Sequence, residues 1–365
     1  AYRALAVACI YLGQEEEARE AMSNAVKSIK LESRKSQHFA RGVYYSVYSQ
    51  DYLKAASEFE ALLKLSPLDV AAINNLAVCR YYQLEFGAAR ELAKRDLQLY
   101  PGKLVGVQNA AFYSMYANDM PEAEAYATSV LEKDQAFASS VMIRALISAN
   151  REEIAEANQI YHSHMGVDDN CDALILQGLA DLSIASEEAE SAKDFLIRGV
   201  SLDRANENHE HLARKLLMQA ELTSGDPQSL IAASLEASMS TANLMALIAF
   251  CIEHNIAPPG KAIEVARRKT TVHARVCNQM LEAVRDCATG DFGSAIEHSV
   301  KSSSLLDVWL IHYCLMFIYQ RADMLLEVQD EVAICLERSG EGLCHTLDEQ
   351  PSFRQLATVR RIAAG

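Results

Sequence analysis

The chain has 365 residues, 50% of them hydrophobic, and a formal net charge of −15. That acidic excess argues against a nucleic-acid partner, since phosphate-backbone binders carry a basic face. Alanine and leucine are abundant while aromatic residues make up only 7%, a balance that favours helix over a large sheet.

The 9 cysteines are scattered and odd in number, and none forms a C-x-x-C pair. Zinc ribbons and redox motifs are therefore not expected, and a reducing compartment, the cytoplasm, is the simplest setting. No apolar run approaches the ~18 residues of a membrane span, so no membrane insertion is expected.

Taken in chain order, a helical pattern is already running at Ala1, which predicts an excerpt of a longer protein. Gly13 and Ala18 mark the turn and second helix of a first unit. The next units are strictly periodic: Pro67 and Pro101 stand 34 residues apart, as do Ala55, Ala89 and Ala123, and Arg41, Asn75 and Asn109. Small residues such as Ala77, Ala89 and Ala111 let two helices approach closely, and proline after the second helix stops it. A 34-residue period with small residues at fixed places resembles the tetratricopeptide (TPR) repeat.

The resemblance implies an all-α fold, an α-solenoid of about ten antiparallel helix pairs in a right-handed superhelix. A fifth unit is expected over 138–164, and a sixth carries Leu179, Ala180 and Ala192 in the expected places. A seventh bends at "TSGDP" (223–227), an eighth at "NIAPPGKA" (255–262) and a ninth at "TGDFGSA" (289–295). A tenth opens with "WLIHYCLMFIYQ" (309–320). The expected organisation is regular units over 1–165, divergent units over 166–340, and 341–365 as a tail or the start of a further unit. "HMGVDDNCD" (164–172) and "LDRANENHEHLA" (202–213) are polar and read as looser connections.

The ninth bend contains Asp291-Phe292-Gly293, the letters of a kinase magnesium site. Such a site also needs an H-R-D loop, a glycine-rich loop and a strand lysine, and the sequence has none of them. The turn reading is preferred: Gly290 ends one helix, Asp291 caps the next and Ala295 is its small residue. His162 and His164, like His209 and His211, are two apart and point to opposite sides of a helix, so neither pair shares a metal; they read as solvated histidines. No catalytic residues, metal ligands or cofactors are expected.

In a stack of this kind the first helix of each pair lines the inner groove. Arg41, Asn75 and Asn109 share one register there. Tyr44, Val78 and Phe112 follow one turn on, then Tyr48, Tyr82 and Tyr116. A polar stripe beside an aromatic stripe suits an extended peptide, because amides bond its backbone and rings hold its side chains. Residues 36–135 are the expected partner site. Peptide-clamp TPRs grip a terminal carboxylate with lysines and a further asparagine. Here only Asn75 and Asn109 match and Tyr44 replaces the first clamp asparagine, so that clamp is not expected.

A narrower resemblance covers "CLERSGEGLCHTLDEQPSFRQL" (335–356). It is similar to a segment of the TPR regions attached to bacterial eukaryotic-like serine/threonine kinases, and departs from them after Arg354. It implies a sensor or docking region whose catalytic domain lies outside this chain, with a periplasmic place as the alternative to the cytoplasm. The expected function is non-catalytic binding of a protein or peptide in the groove. The rival is a scaffold or self-association module, a homo-oligomer without a groove ligand.

Overall fold

A computed structural model describes residues 33–343 and 352–365, together with Ala21 and Asn24. Ala1, Gly13, Ala18 and the "LDEQP" stretch lie outside the described residues. Among those described there are twenty α-helices and one π-helical turn, with no strand.

The chain divides after Tyr113 into two units. The first holds α1 (Arg34–Val43), which runs on through a π-turn (Tyr44–Tyr48), then α2 (Tyr52–Leu65), α3 (Val70–Tyr82) and α4 (Phe86–Leu99). The division falls within α5 (Leu104–Tyr116). The second unit continues with α6 (Met120–Leu131), α7 (Ala138–Asn150), α8 (Ile154–Ser163), α9 (Asp169–Ala185) and α10 (Ala189–Ala205). There follow α11 (His209–Glu221), α12 (Gln228–Ala237), α13 (Thr241–His254), α14 (Gly260–Arg268), α15 (Val272–Ala288) and α16 (Phe292–Ser303). The last are α17 (Trp309–Arg321), α18 (Leu325–Glu337), the short α19 (Ser339–Gly342) and α20 (Arg354–Ala364).

Successive helices pair as antiparallel hairpins, α1 with α2, α3 with α4, α7 with α8, α9 with α10, α11 with α12, α15 with α16 and α17 with α18. The alanines chosen for close approach, Ala55, Ala77, Ala89, Ala111 and Ala123, are all buried. Larger side chains there would hold the helix axes apart. At Gly178 of α9 a Cβ would fall 2.3 Å from the Tyr161 ring of α8, so the absent side chain sets that contact.

The turn inside each hairpin repeats the period. Gln50 (φ 49°), Leu84 (φ 64°), Asn118 (φ 59°) and Glu152 (φ 67°) are each left-handed and 34 residues apart. The next helix is commonly capped by an aspartate: Asp51 accepts from Lys54 N at 3.1 Å, Asp119 from Glu122 N at 3.3 Å and Asp291 from Ser294 N at 3.1 Å. The "DFG" stretch is such a turn. Gly290 is left-handed (φ 85°), Asp291 caps α16 and Ala295 is buried.

Residues 202–213 differ from expectation. The connection is only 206–208, between α10 and α11. Asp203 and Lys215 form a fully buried ion pair at 2.6 Å, for which Gly199 makes room. His211 is not a solvated histidine either: burial beside Lys215 and Arg214 pushes it down to about 3. Polar letters conceal internal pairing here, because a buried charge is held only by its partner.

Replacing Gly290 by alanine should cost about 1–2 kcal/mol, the penalty of a Cβ in the left-handed region. Nothing lies within 4 Å of the added carbon, so the loss comes from the backbone alone. Denaturant melts of Gly290→Ala against wild type measure it, and an unchanged midpoint would refute the turn assignment.

Candidate functional site

Two arrangements concentrate polar chemistry. The first is the register of Arg41, Asn75 and Asn109 in the first unit. Arg41 Nε donates to Glu58 at 3.2 Å and its side chain keeps 39% of its exposure. Glu58 also binds His38 Nδ1 at 2.7 Å, which fixes the carboxylate that orients Arg41. Asn75 Nδ2 donates to Ala71 O of its own helix at 2.7 Å, and Asn109 Nδ2 bridges to Asn74 Oδ1 at 2.9 Å. The two amides are thus engaged with the protein, one along a helix and one between α3 and α5.

The aromatic positions are half-buried and touch other rings. Tyr44 stacks on Tyr48 with centroids 5.4 Å apart, and both lie in the π-turn, a rare bulge frequent at functional sites. Tyr82 stacks on Tyr52 at 4.4 Å, and Phe112 lies 5.5 Å from Tyr81. Tyr116 belongs to the second unit and is 2% exposed there.

The second arrangement is in the second unit, and sequence reasoning missed it. Ser352, Phe353 and Arg354, with α20 behind them, dock on α9, α11 and α13. Asp181 of α9 accepts from three groups of that segment: Ser352 Oγ at 2.6 Å, Phe353 N, and Arg354 N at 3.2 Å. With its amide oriented to suit its neighbours, Gln355 donates to Ser352 Oγ at 2.6 Å and accepts from Arg354 Nε and Nη2 at 3.0 Å. The Arg354 guanidinium lies 2.8 Å from Glu221 of α11 and 3.9 Å from Asp181, with side-chain exposures of 9%, 6% and 6% in turn. Glu253 of α13 accepts from Tyr313 of α17 at 2.9 Å.

One guanidinium therefore answers three carboxylates. Burial raises Asp181, Glu221 and Glu253 above the usual carboxylate range, against the pull of Arg354; Glu221 is pushed up to about 8. Donors from Ser352, Phe353 and Arg354 favour the charged form of Asp181 against that burial. Glu221, Glu253 and His254 also bring ligand-type atoms within 4.8 Å of one another. The cation they face is Arg354.

The rest of the segment is fixed as well. Phe353, Leu356 and Val359 are buried, Arg360 donates to Asn150 O of α7 at 2.9 Å, and Arg361 meets Glu187 at 3.1 Å. A signal did exist in the sequence: Asp181 and Glu253 interrupt the apolar runs "LADLSIA" and "IAFCIEH". A charge inside an apolar helix stripe needs a partner.

No family model matches the chain, and no curated protein matches it. Solved structures do. The chain is similar to a tetratricopeptide repeat protein from Parabacteroides merdae, at 13% identity and a TM-score of 0.42 over 78% of this chain and 98% of that one. It is also similar to PilF of Pseudomonas aeruginosa, at 19% identity and a TM-score of 0.41, covering 60% and 96%. Human IFIT1, solved as a dimer with PPP-AAAA, matches at 13% identity and a TM-score of 0.43, covering 93% and 82%. No helix among the described residues is long and apolar enough to cross a membrane.

The cluster sets a pH dependence. A carboxyl raised from 4.5 to about 8 on folding favours the folded state most below 4.5, and that contribution is lost as pH rises through 8. Urea midpoints should fall between about pH 5.5 and about pH 8.5. Glu221→Gln, neutral throughout, should lose less over the same interval; an equal loss would place the titration elsewhere.

Proposed function

We propose that the chain is a non-catalytic interaction module whose first unit holds an extended segment of a protein partner. The observation that carries this reading is the half-buried aromatic set Tyr44, Tyr48, Tyr82 and Phe112, of which Tyr44 and Tyr48 lie in the π-turn that continues the helix of the partly exposed Arg41. Such rings offer contact area at low entropy cost and a polar edge besides. Arg41, already oriented by Glu58, would take a carboxylate or carbonyl of the partner. Asn75 and Asn109 would meet the backbone through their remaining hydrogen-bonding capacity.

The acidic balance favours a protein partner over a nucleic acid. A place as the sensor or docking part of a bacterial signalling kinase rests on the 335–356 resemblance. A scaffold or self-associating module is the second reading. It is favoured by Leu325 and Leu326 at the start of α18, which are 64% and 75% exposed, since large exposed apolar residues side by side mark interaction surfaces.

Peptides selected on the protein from a displayed random library supply a probe. Arg41→Ala should weaken the selected peptides by up to about 1 kcal/mol at low salt, the scale of an exposed charge contact, and less at high salt. Tyr82→Ala should weaken them at both. Unchanged affinity of both variants in calorimetry would move the site elsewhere and favour the scaffold reading.

A further inference from the structure

We infer that the faces of α9, α11 and α13 form a peptide-recognition site that reads a hydroxyl–aromatic–arginine sequence, and that Ser352-Phe353-Arg354 of this same chain is its resident ligand. The site is distinct from the first-unit stripe and stands without it.

Ser352 and Phe353 precede α20, so the Phe353 and Arg354 N–H groups have no helical partner of their own. Asp181 takes both, along with the Ser352 hydroxyl. One carboxylate thus fixes the register of three consecutive residues through two backbone groups and one side chain. Phe353 is buried, and the Arg360 guanidinium lies 5.8 Å from its ring. Arg354 then enters a place walled by Glu221 and Asp181, near Glu253. Backbone capture, a filled aromatic position and a guanidinium among carboxylates are the devices by which proteins read peptides.

The walls are built without the segment. α9 packs on α10 and α11 on α12, while α13 is held by α11, α15 and α17. The segment itself lies 171 residues beyond Asp181. Three acidic side chains, Asp181, Glu221 and Glu253, surround the one guanidinium. Such a site selects an arginine, and selects it from any chain that presents one after a hydroxyl residue and an aromatic. Because these walls are held by other helices, the segment exchanges with a free peptide of the same sequence.

The test uses the whole protein and a synthetic peptide of residues 352–364. Native-state hydrogen exchange, read by mass spectrometry, follows α20 and its receptors separately. Amides of α20 should exchange at least about tenfold faster than those of α9 and α13, as expected of a local opening. Excess peptide should speed exchange in α20 further and leave α9 and α13 slow. A peptide carrying Arg354→Ala should have no effect. Exchange of α20 only together with α9 and α13 would make it part of the core and overturn the inference. So would opening that the wild-type peptide leaves unchanged, or an equal effect of both peptides. As a second measurement, full-length Arg354→Ala should bind the labelled wild-type peptide, and adding Asp181→Asn should abolish that binding; binding that survives Asp181→Asn contradicts the site.

Discussion

A guanidinium that leaves water must meet negative charge, and much of the second unit is arranged around that requirement at Arg354. Desolvating an ion costs several kcal/mol unless its hydrogen-bonding groups are answered. Answering them takes Asp181, Glu221 and Gln355, with Glu253 and Tyr313 alongside. These groups come from α9, α11, α13, α17 and α20. Elements that a linear repeat would keep apart are held on a common point, and α20 touches both α9 and α18.

This departs from the usual economy of helical repeats, in which each pair contacts only its neighbours. The first unit keeps that economy: α2 packs on α1 and α3, and Phe59 and Leu62 fill the space between them. In the second unit long-range contacts are added to the same scheme. Gly340 sits where a Cβ would fall 2.5 Å from Met115 O, and Ser339 Oγ bonds Asn118 Oδ1 at 3.2 Å. Around α17 the side chains are also tied by charge. His312 lies between Glu331 at 2.7 Å and Asp307 at 3.0 Å, contacts that raise it above its ordinary value, and Arg338 binds Asp307 at 2.8 Å.

What was legible in the sequence follows from what is local. The small residues at Ala55, Ala89 and Ala123 and the cap at Asp291 depend on the hairpin that contains them, so spacing alone revealed them. The left-handed turn residues repeat at the same interval but escaped notice, because leucine, glutamine and glutamate stand where glycine is the familiar signal. Asp203 with Lys215 was read as part of a solvated loop, since polarity does not tell a surface charge from a paired one. At the Arg354 site the buried acids were legible as charges in apolar runs but their partner was not: it lies on a helix far away in sequence, and a periodic pattern predicts only neighbouring contacts. Arg41, Tyr44 and Tyr82 were placed on inner helices by register. Register could not show that Asn109 reaches Asn74 or that Asn75 turns back to Ala71.

The closure of the second unit depends most on the coupling between Asp181 and Arg354, and a double-mutant cycle with Asp181→Asn and Arg354→Gln measures it in urea denaturation. The expected coupling is above about 1 kcal/mol, larger than exposed ion pairs give, because the carboxylate and the guanidinium face each other at 3.9 Å out of water. Additivity within about 0.5 kcal/mol would mean that the two groups act independently, and would contradict the closure of the second unit on this contact.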